Sequence, residues 1–209
     1  MVYIFGMIIP YLLGSIPSAW VLVKLTTGKD LRAIGTGNIG AMNSYDVTGK
    51  KWIGIVVFLM DALKGAIAVL LVRIFMHNDV MAVELAAFWV VLGHNLSIFL
   101  KGKGGRGLST TAGAFILINP IVVIIWGIIW SLIMLRIKRN VHIANSVATI
   151  ITPILLIFIT DYFLKIFFFI PNMSRHDLVI LTVCVCVVIL IRHIKPLKDY
   201  FKKGKDNKD

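Results

Sequence analysis

The feature that most limits what this chain can become is the alternation of long apolar runs with short, cation-rich loops. Residues 3–23, 53–75, 82–100, 111–135, 141–163 and 177–192 are dominated by aliphatic and aromatic side chains. About 20 apolar residues of helix cross a hydrocarbon core. Inside that core every backbone polar group must find its partner within the protein. The pattern predicts an all-α integral membrane protein. Composition agrees, because 15% of the 209 residues are charged and 58% hydrophobic, whereas soluble domains carry about 25% charge.

The formal net charge is +12. In a soluble chain that excess would point to nucleic acid. Here the cations sit between apolar runs, which is the positive-inside pattern, and no aromatic-basic surface suggests a nucleic-acid partner. The loop near 24–52 carries Lys24, Lys29, Arg32, Lys50 and Lys51. The loop near 101–110 carries Lys101, Lys103 and Arg106. Arg136, Lys138 and Arg139 form a third cluster, and a basic tail over 194–209 the fourth. All four belong on the cytoplasmic face. An even number of crossings must then separate the central loop from Arg136, so 111–135 is read as a hairpin broken at Asn119-Pro120. Seven transmembrane or partly inserted helices result, with the N-terminus outside and the C-terminus cytoplasmic. Five or six ordinary spans with one cluster misplaced are the rival. The chain reads as one polytopic domain, 1–209, whose first span is a retained anchor containing Gly14 and Pro17 as breakers, and whose tail is expected to fray. Cys184 and Cys186 lie two apart on a helix, cannot bridge each other, and read as small hydrophobes.

Two loops carry chemistry. Lys101-Gly102-Lys103-Gly104-Gly105-Arg106-Gly107 holds four glycines and three cations. Glycine lets successive N–H groups converge into an anion-binding nest, and the cations add full charge. Gly102 and Gly107 have the outer spacing of a Walker A loop. Leu108-Ser109 replaces its lysine-hydroxyl pair, however, and an apolar helix precedes it, so that motif is excluded. A flexible positive-inside turn explains the cations but has no need of four glycines; an anion nest is the preferred reading. The first loop contains Gly35-Thr36-Gly37-Asn38-Ile39-Gly40-Ala41-Met42-Asn43. Thr36, Asn38 and Asn43 are suited to bond phosphate or hydroxyl oxygens, though a plain interfacial turn explains the glycines equally well.

Asp61 and Lys64 stand at i, i+3 inside a span, where ionisable groups are costly and face a polar interior. A structural ion pair and a substrate role both remain open. His94-Asn95, Arg192-His193 and His142 with Asn145 fall at segment ends on the face of the loops; His77 and His176 fall on the other. No H-x4-D acyltransferase motif is present, since Phe99 and Lys198 stand five residues after His94 and His193.

Taken together, Tyr11-Leu-Leu-Gly-Ser-Ile-Pro17, Asp30-Leu-Arg32, Gly37-Asn38-Ile-Gly-Ala41 with Asn43, Gly49-Lys-Lys51, Asp61-Ala-Leu-Lys-Gly65, Leu92-Gly-His94, Lys103-Gly-Gly-Arg-Gly107 and Arg192-His193 resemble the PlsY family of bacterial acyl-phosphate:glycerol-3-phosphate acyltransferases, in the family's order. The resemblance implies a seven-helix protein of the bacterial cytoplasmic membrane, with its active site facing the cytoplasm. It implies transfer of an acyl group from acyl phosphate to the 1-hydroxyl of glycerol 3-phosphate, giving lysophosphatidic acid and inorganic phosphate, with no cofactor and no metal. Acyl phosphate, glycerol 3-phosphate and membrane lipid are then the partners, with other phospholipid-synthesis enzymes as further candidates. His193, Thr36 and Asn38 are the implied catalytic set. Gly35, Gly37, Gly40, Asn43, Lys103, Gly104, Gly105, Arg106, Gly107, His142 and Arg192 are implied in substrate or phosphate binding, supported by Asp61, Lys64 and His94.

The chain departs from the family pattern at several positions. Thr36 stands for serine, Met42 for threonine, Asp46 for arginine, Arg106 for lysine, His142 for serine, Pro196 for asparagine, and Gly204-Lys205 for glycine-glutamate. Asp46 replaces a cation by an anion, and with Pro196 it motivates the alternative of a non-catalytic lipid- or anion-binding paralogue. A small transporter ranks last, because paired inverted repeats are not evident.

Overall fold

The computed structural model describes residues 2–136 and 140–206; Lys138 and Arg139 lie outside the described residues. Among the described residues there are ten α-helices and no strand. They form two compact units, residues 1–119 with 168–173 and residues 120–167 with 174–209.

The first unit contains α1 (Val2–Ser15), α2 (Ser18–Thr27), α3 (Ala41–Thr48), α4 (Lys51–Phe75), α5 (Val80–Asn95), a 3-10 turn (Ile98–Leu100) and α6 (Leu108–Ile116). Pro17 lacks an N–H and disfavours helix at the residue before it, so the first apolar run breaks into α1 and α2 at Ile16-Pro17. Gly14 does not break α1. It is a contact point, since a Cβ there would fall on the Val90 carbonyl of α5, and one on Gly93 would fall on the Tyr11 carbonyl of α1. α4 and α6 meet the same way, Gly65 against Thr110 and Gly113 against Ala62. Small residues that let backbones touch are how membrane helices associate without a hydrophobic driving force between them. Under the first loop, Leu31 and Ile39 pack with Ala19, Val23, Ile53, Val57 and Leu100. At the other end Arg73 donates to the Leu117 carbonyl at 3.0 Å and the Phe169 carbonyl at 2.8 Å, which binds 168–173 into this unit.

The second unit contains α7 (Ile121–Arg136), α8 (Val141–Phe158), α9 (Asp161–Ile166) and α10 (Arg175–Asp206). Asn140 caps α8 by accepting from the His142 and Ile143 amides. α8 stops at Phe158, short of the expected 163. There Arg175 donates to the Ile157 and Ile159 carbonyls and pairs with Asp161 at 3.1 Å, satisfying the groups that a helix end leaves open. The tail expected to fray is instead a continuation of α10, through Pro196 to Asp206. Its lysines are good helix formers, and one proline is not enough to stop a 32-residue helix.

Among the described residues, five stretches are long and apolar enough to cross a membrane: Tyr3–Thr27, Lys51–Phe75, Val80–Leu100, Val141–Phe158 and Arg175–Lys202. The run 111–135 is broken between Ile116 and Ile121, as Asn119-Pro120 predicts. At about 1.5 Å per residue the nine residues of α6 span about 14 Å and the 16 of α7 about 24 Å, both short of a core of about 30 Å.

Candidate functional site

The first loop is built around Asn43, which is buried on α3. Its Oδ1 accepts from the Thr36 amide at 2.9 Å, and its Nδ2 donates to the Asn38 carbonyl at 2.9 Å and the Ile34 carbonyl at 3.4 Å. The Asn43 amide is thus engaged in shaping the loop, whereas Thr36 is exposed and Asn38 half-buried at its surface. Gly35 sits at φ 66°, and a Cβ there would meet Asn43 Oδ1. Gly37 also has positive φ, at 69°, and Gly40 is the extended residue before α3. The loop's entrance is clamped by Asp30, which accepts from Trp20 Nε1 at 3.0 Å and pairs with Arg32 at 2.6 Å. The bonded Arg32 guanidinium holds the Asp30 carboxyl well below the usual carboxylate range. Asp46 is exposed, and close by Lys29 donates its ammonium to the Val47 carbonyl at 2.9 Å.

The central loop departs from the expected nest. Its amides turn back onto the end of α5 and the 3-10 turn after it: Gly102 donates to Ser97, Lys103 to Leu100, Gly104 to Asn95 and Gly105 to His94, at 2.8–3.2 Å. The glycines are required for a different reason. A Cβ on Gly104 would fall on the His94 carbonyl, and one on Gly105 on His94 Nε2, with the Ile39 carbonyl 2.7 Å away. Gly107, at φ 87°, turns the chain into α6. The first amides of α6 have no partner within the helix. Lys103 is exposed and Arg106 half-buried.

Behind this loop lies a buried polar cluster. Lys64 Nζ is 2.8 Å from Asp61 Oδ1, so the i, i+3 pair forms as its spacing predicts. Lys64 also donates to the Ile16 carbonyl at 3.0 Å, one of the groups opened by the Pro17 break. His94 Nδ1 stands 3.6 Å from Asp61 Oδ1. These groups, with Ser15, Ser18, Ser97, Gly104 and Gly105, line a small cavity. Ser97 donates to the Ser15 carbonyl at 2.5 Å. The structure thus brings Asp61, Lys64, His94, Gly104 and Gly105 into one site.

The second unit holds His193 and His142. His193 is fully buried. Its Nδ1 is 2.9 Å from the Ile189 carbonyl, and its Nε2 is 3.4 Å from Asn145 Nδ2. A carbonyl only accepts, so Nδ1 carries the proton and Nε2 receives the Asn145 N–H. Trp130 Nε1 donates to Asn145 Oδ1 at 2.7 Å, which fixes that amide's orientation. His142 is half-buried in the first turn of α8, and Arg192 is half-buried beside His193. Sequence reasoning did not find Trp130, Ser97 or the Ile16 carbonyl. The Pro17 break was the signal for the last of these; nothing in the sequence marks the others.

Residues 4–203 match the glycerol-3-phosphate acyltransferase family. The chain belongs to this family. It is 38% identical over 156 residues to glycerol-3-phosphate acyltransferase 2 of Moorella thermoacetica, covering 75% of this chain and 78% of that one. It is 31% identical to the glycerol-3-phosphate acyltransferase of Staphylococcus aureus over 97% of this chain and 96% of that one. Among solved structures it is similar to PlsY, an integral membrane glycerol 3-phosphate acyltransferase, in its glycerol 3-phosphate form. The TM-score is 0.77 at 31% identity, over 96% of this chain and 92% of that one. The same protein in its lysophosphatidic acid form matches at a TM-score of 0.76.

Proposed function

We propose that this membrane protein transfers a fatty acyl group from acyl phosphate to the 1-hydroxyl of glycerol 3-phosphate. The hydroxyl oxygen forms the new ester bond, the bond from the acyl carbon to the phosphate oxygen breaks, and the hydroxyl proton leaves with inorganic phosphate. The product is lysophosphatidic acid. The observation that carries this reading is the family match over nearly the whole chain, joined to a cation-bearing loop whose glycines are set by close backbone contact. A mixed anhydride is already activated, so positioning and charge stabilisation are the chemistry left to the protein. Lys103, Arg106 and the start of α6 are assigned to phosphate, and Thr36 and Asn38 to substrate oxygens. His193 is assigned to the hydroxyl proton, its Nε2 exchanging the Asn145 N–H for the substrate hydroxyl; Arg192 and His142 are assigned to substrate binding. The family match favours this over the non-catalytic reading; Asp46 is exposed, with the Lys29 ammonium on the next residue's carbonyl. The loop cations, the Arg136 cluster and the C-terminal lysines support seven inserted segments, an external N-terminus and a cytoplasmic active site.

Purified protein given acyl phosphate and glycerol 3-phosphate is expected to release phosphate and lysophosphatidic acid in equal amounts. No product above a membrane blank, at high enzyme concentration, would refute the proposal.

A further inference from the structure

Resting on that reading, we propose that Asp61 and Lys64, acting through His94, are positioning residues that hold the glycine-cation loop in the form that takes a substrate phosphate. Neither is assigned contact with substrate. Two ionised side chains in a membrane span are retained against a large desolvation penalty, and an apolar pair of similar volume would pack there at least as well. What the pair does is visible in its contacts. Lys64 reaches from Asp61 to the Ile16 carbonyl, tying α4 to the break between α1 and α2. Asp61 faces the His94 ring on one side. On its other side that ring occupies the place where a side chain on residue 105 would go. The His94 carbonyl accepts the Gly105 amide at 3.0 Å, and the Ser97 carbonyl accepts the Gly102 amide at 2.8 Å. Ser97 in turn bonds the Ser15 carbonyl. One charged centre therefore fixes the helix break, the end of α5 and the backbone of the loop. A shift of the His94 ring moves Gly105 and, with it, the neighbouring Arg106.

The test separates positioning from mere support of the fold. In Asp61→Leu/Lys64→Met both charges are removed together, so no lone charge is left buried. The expected result is a melting temperature close to wild type, with KM for one of the two phosphorylated substrates raised about tenfold or more, and kcat and the other KM within about twofold. Gly105→Ala should raise the same KM, and combining it with Asp61→Asn should give less than the product of the separate effects, because both act on one contact. Wild-type KM for both substrates in the double variant, or effects on different substrates, would overturn the proposal. A measurement independent of turnover is amide hydrogen exchange across residues 101–107. Asp61→Asn and His94→Gln should accelerate it there more than across α8, and unchanged protection in both variants would overturn the proposal too. A wild-type protein that makes no lysophosphatidic acid refutes the function while the exchange result still decides the positioning.

Discussion

In the first unit one buried polar cluster is built on an ion pair: Asp61 and Lys64 close on each other and on His94 behind a loop that presents Lys103 and Arg106. In the second a buried cluster runs by hydrogen bonds from Trp130 to Asn145 to His193. The difference matches what each unit is proposed to handle. A phosphate dianion needs fixed charge and a backbone that does not yield, and a buried ion pair supplies rigidity through direction-specific bonds. A proton acceptor needs a defined tautomer, and an oriented amide supplies that without adding charge. The contrast predicts that changes at Asp61, Lys64 and His94 act on KM and changes at Trp130, Asn145 and His193 on kcat.

The largest expected effect is at His193. His193→Ala should lower kcat by about 10²- to 10⁴-fold, the range of a lost general base, with both KM values nearly unchanged. A change confined to KM would erase the contrast. Gly104→Ala comes next. Its Cβ would enter the His94 carbonyl, with the Asn95 carbonyl 2.8 Å away, and overpacking of this kind costs about 1–3 kcal/mol. A higher KM and a lower melting temperature are expected, and wild-type values for both would show that the loop is not held as described. Trp130→Phe removes one hydrogen bond, worth about 0.5–1.5 kcal/mol net. It should lower kcat a few-fold and leave KM alone; a loss as large as that of His193→Ala would mean the indole acts directly.

Asp30 should matter least. Its carboxyl is held low by the bonded Arg32, so the folded state favours its ionised form. That contribution is complete above the ordinary aspartate pKa and fades as pH falls toward the lowered value. Asp30→Asn should leave kinetics near pH 7 unchanged and remove part of the acid sensitivity of thermal unfolding. An identical acid limb in variant and wild type would contradict the pairing.

The apolar runs and the two prolines, Pro17 and Pro120, made the helices and their breaks legible, because period, length and a missing N–H are local properties. The Asp61–Lys64 pair was legible for the same reason, being four residues of one helix. What the sequence could not show depends on distant contact. The central glycines read as an anion nest, yet their amides bond α5 and their bare Cα atoms admit the His94 and Asn95 carbonyls. Asn43 read as a substrate ligand, and its amide is engaged by the loop it closes. The tail read as fraying because proline and charge suggest an end, but lysine-rich sequence extends the last helix. Trp130 looked like one more apolar residue until Asn145 was found beneath its ring nitrogen.

The most direct test of the central claim, that the glycine-cation loop serves a substrate phosphate, is a comparison of acceptors. Purified protein is given acyl phosphate with either glycerol 3-phosphate or glycerol at equal concentration, and ester formation is followed for each. A site built to bond a charged group rejects the analogue lacking it strongly, so glycerol 3-phosphate is expected to react at least about a hundredfold faster, with Arg106→Ala narrowing that gap. Equal rates for the two acceptors, or a preference untouched by Arg106→Ala, would contradict the assignment.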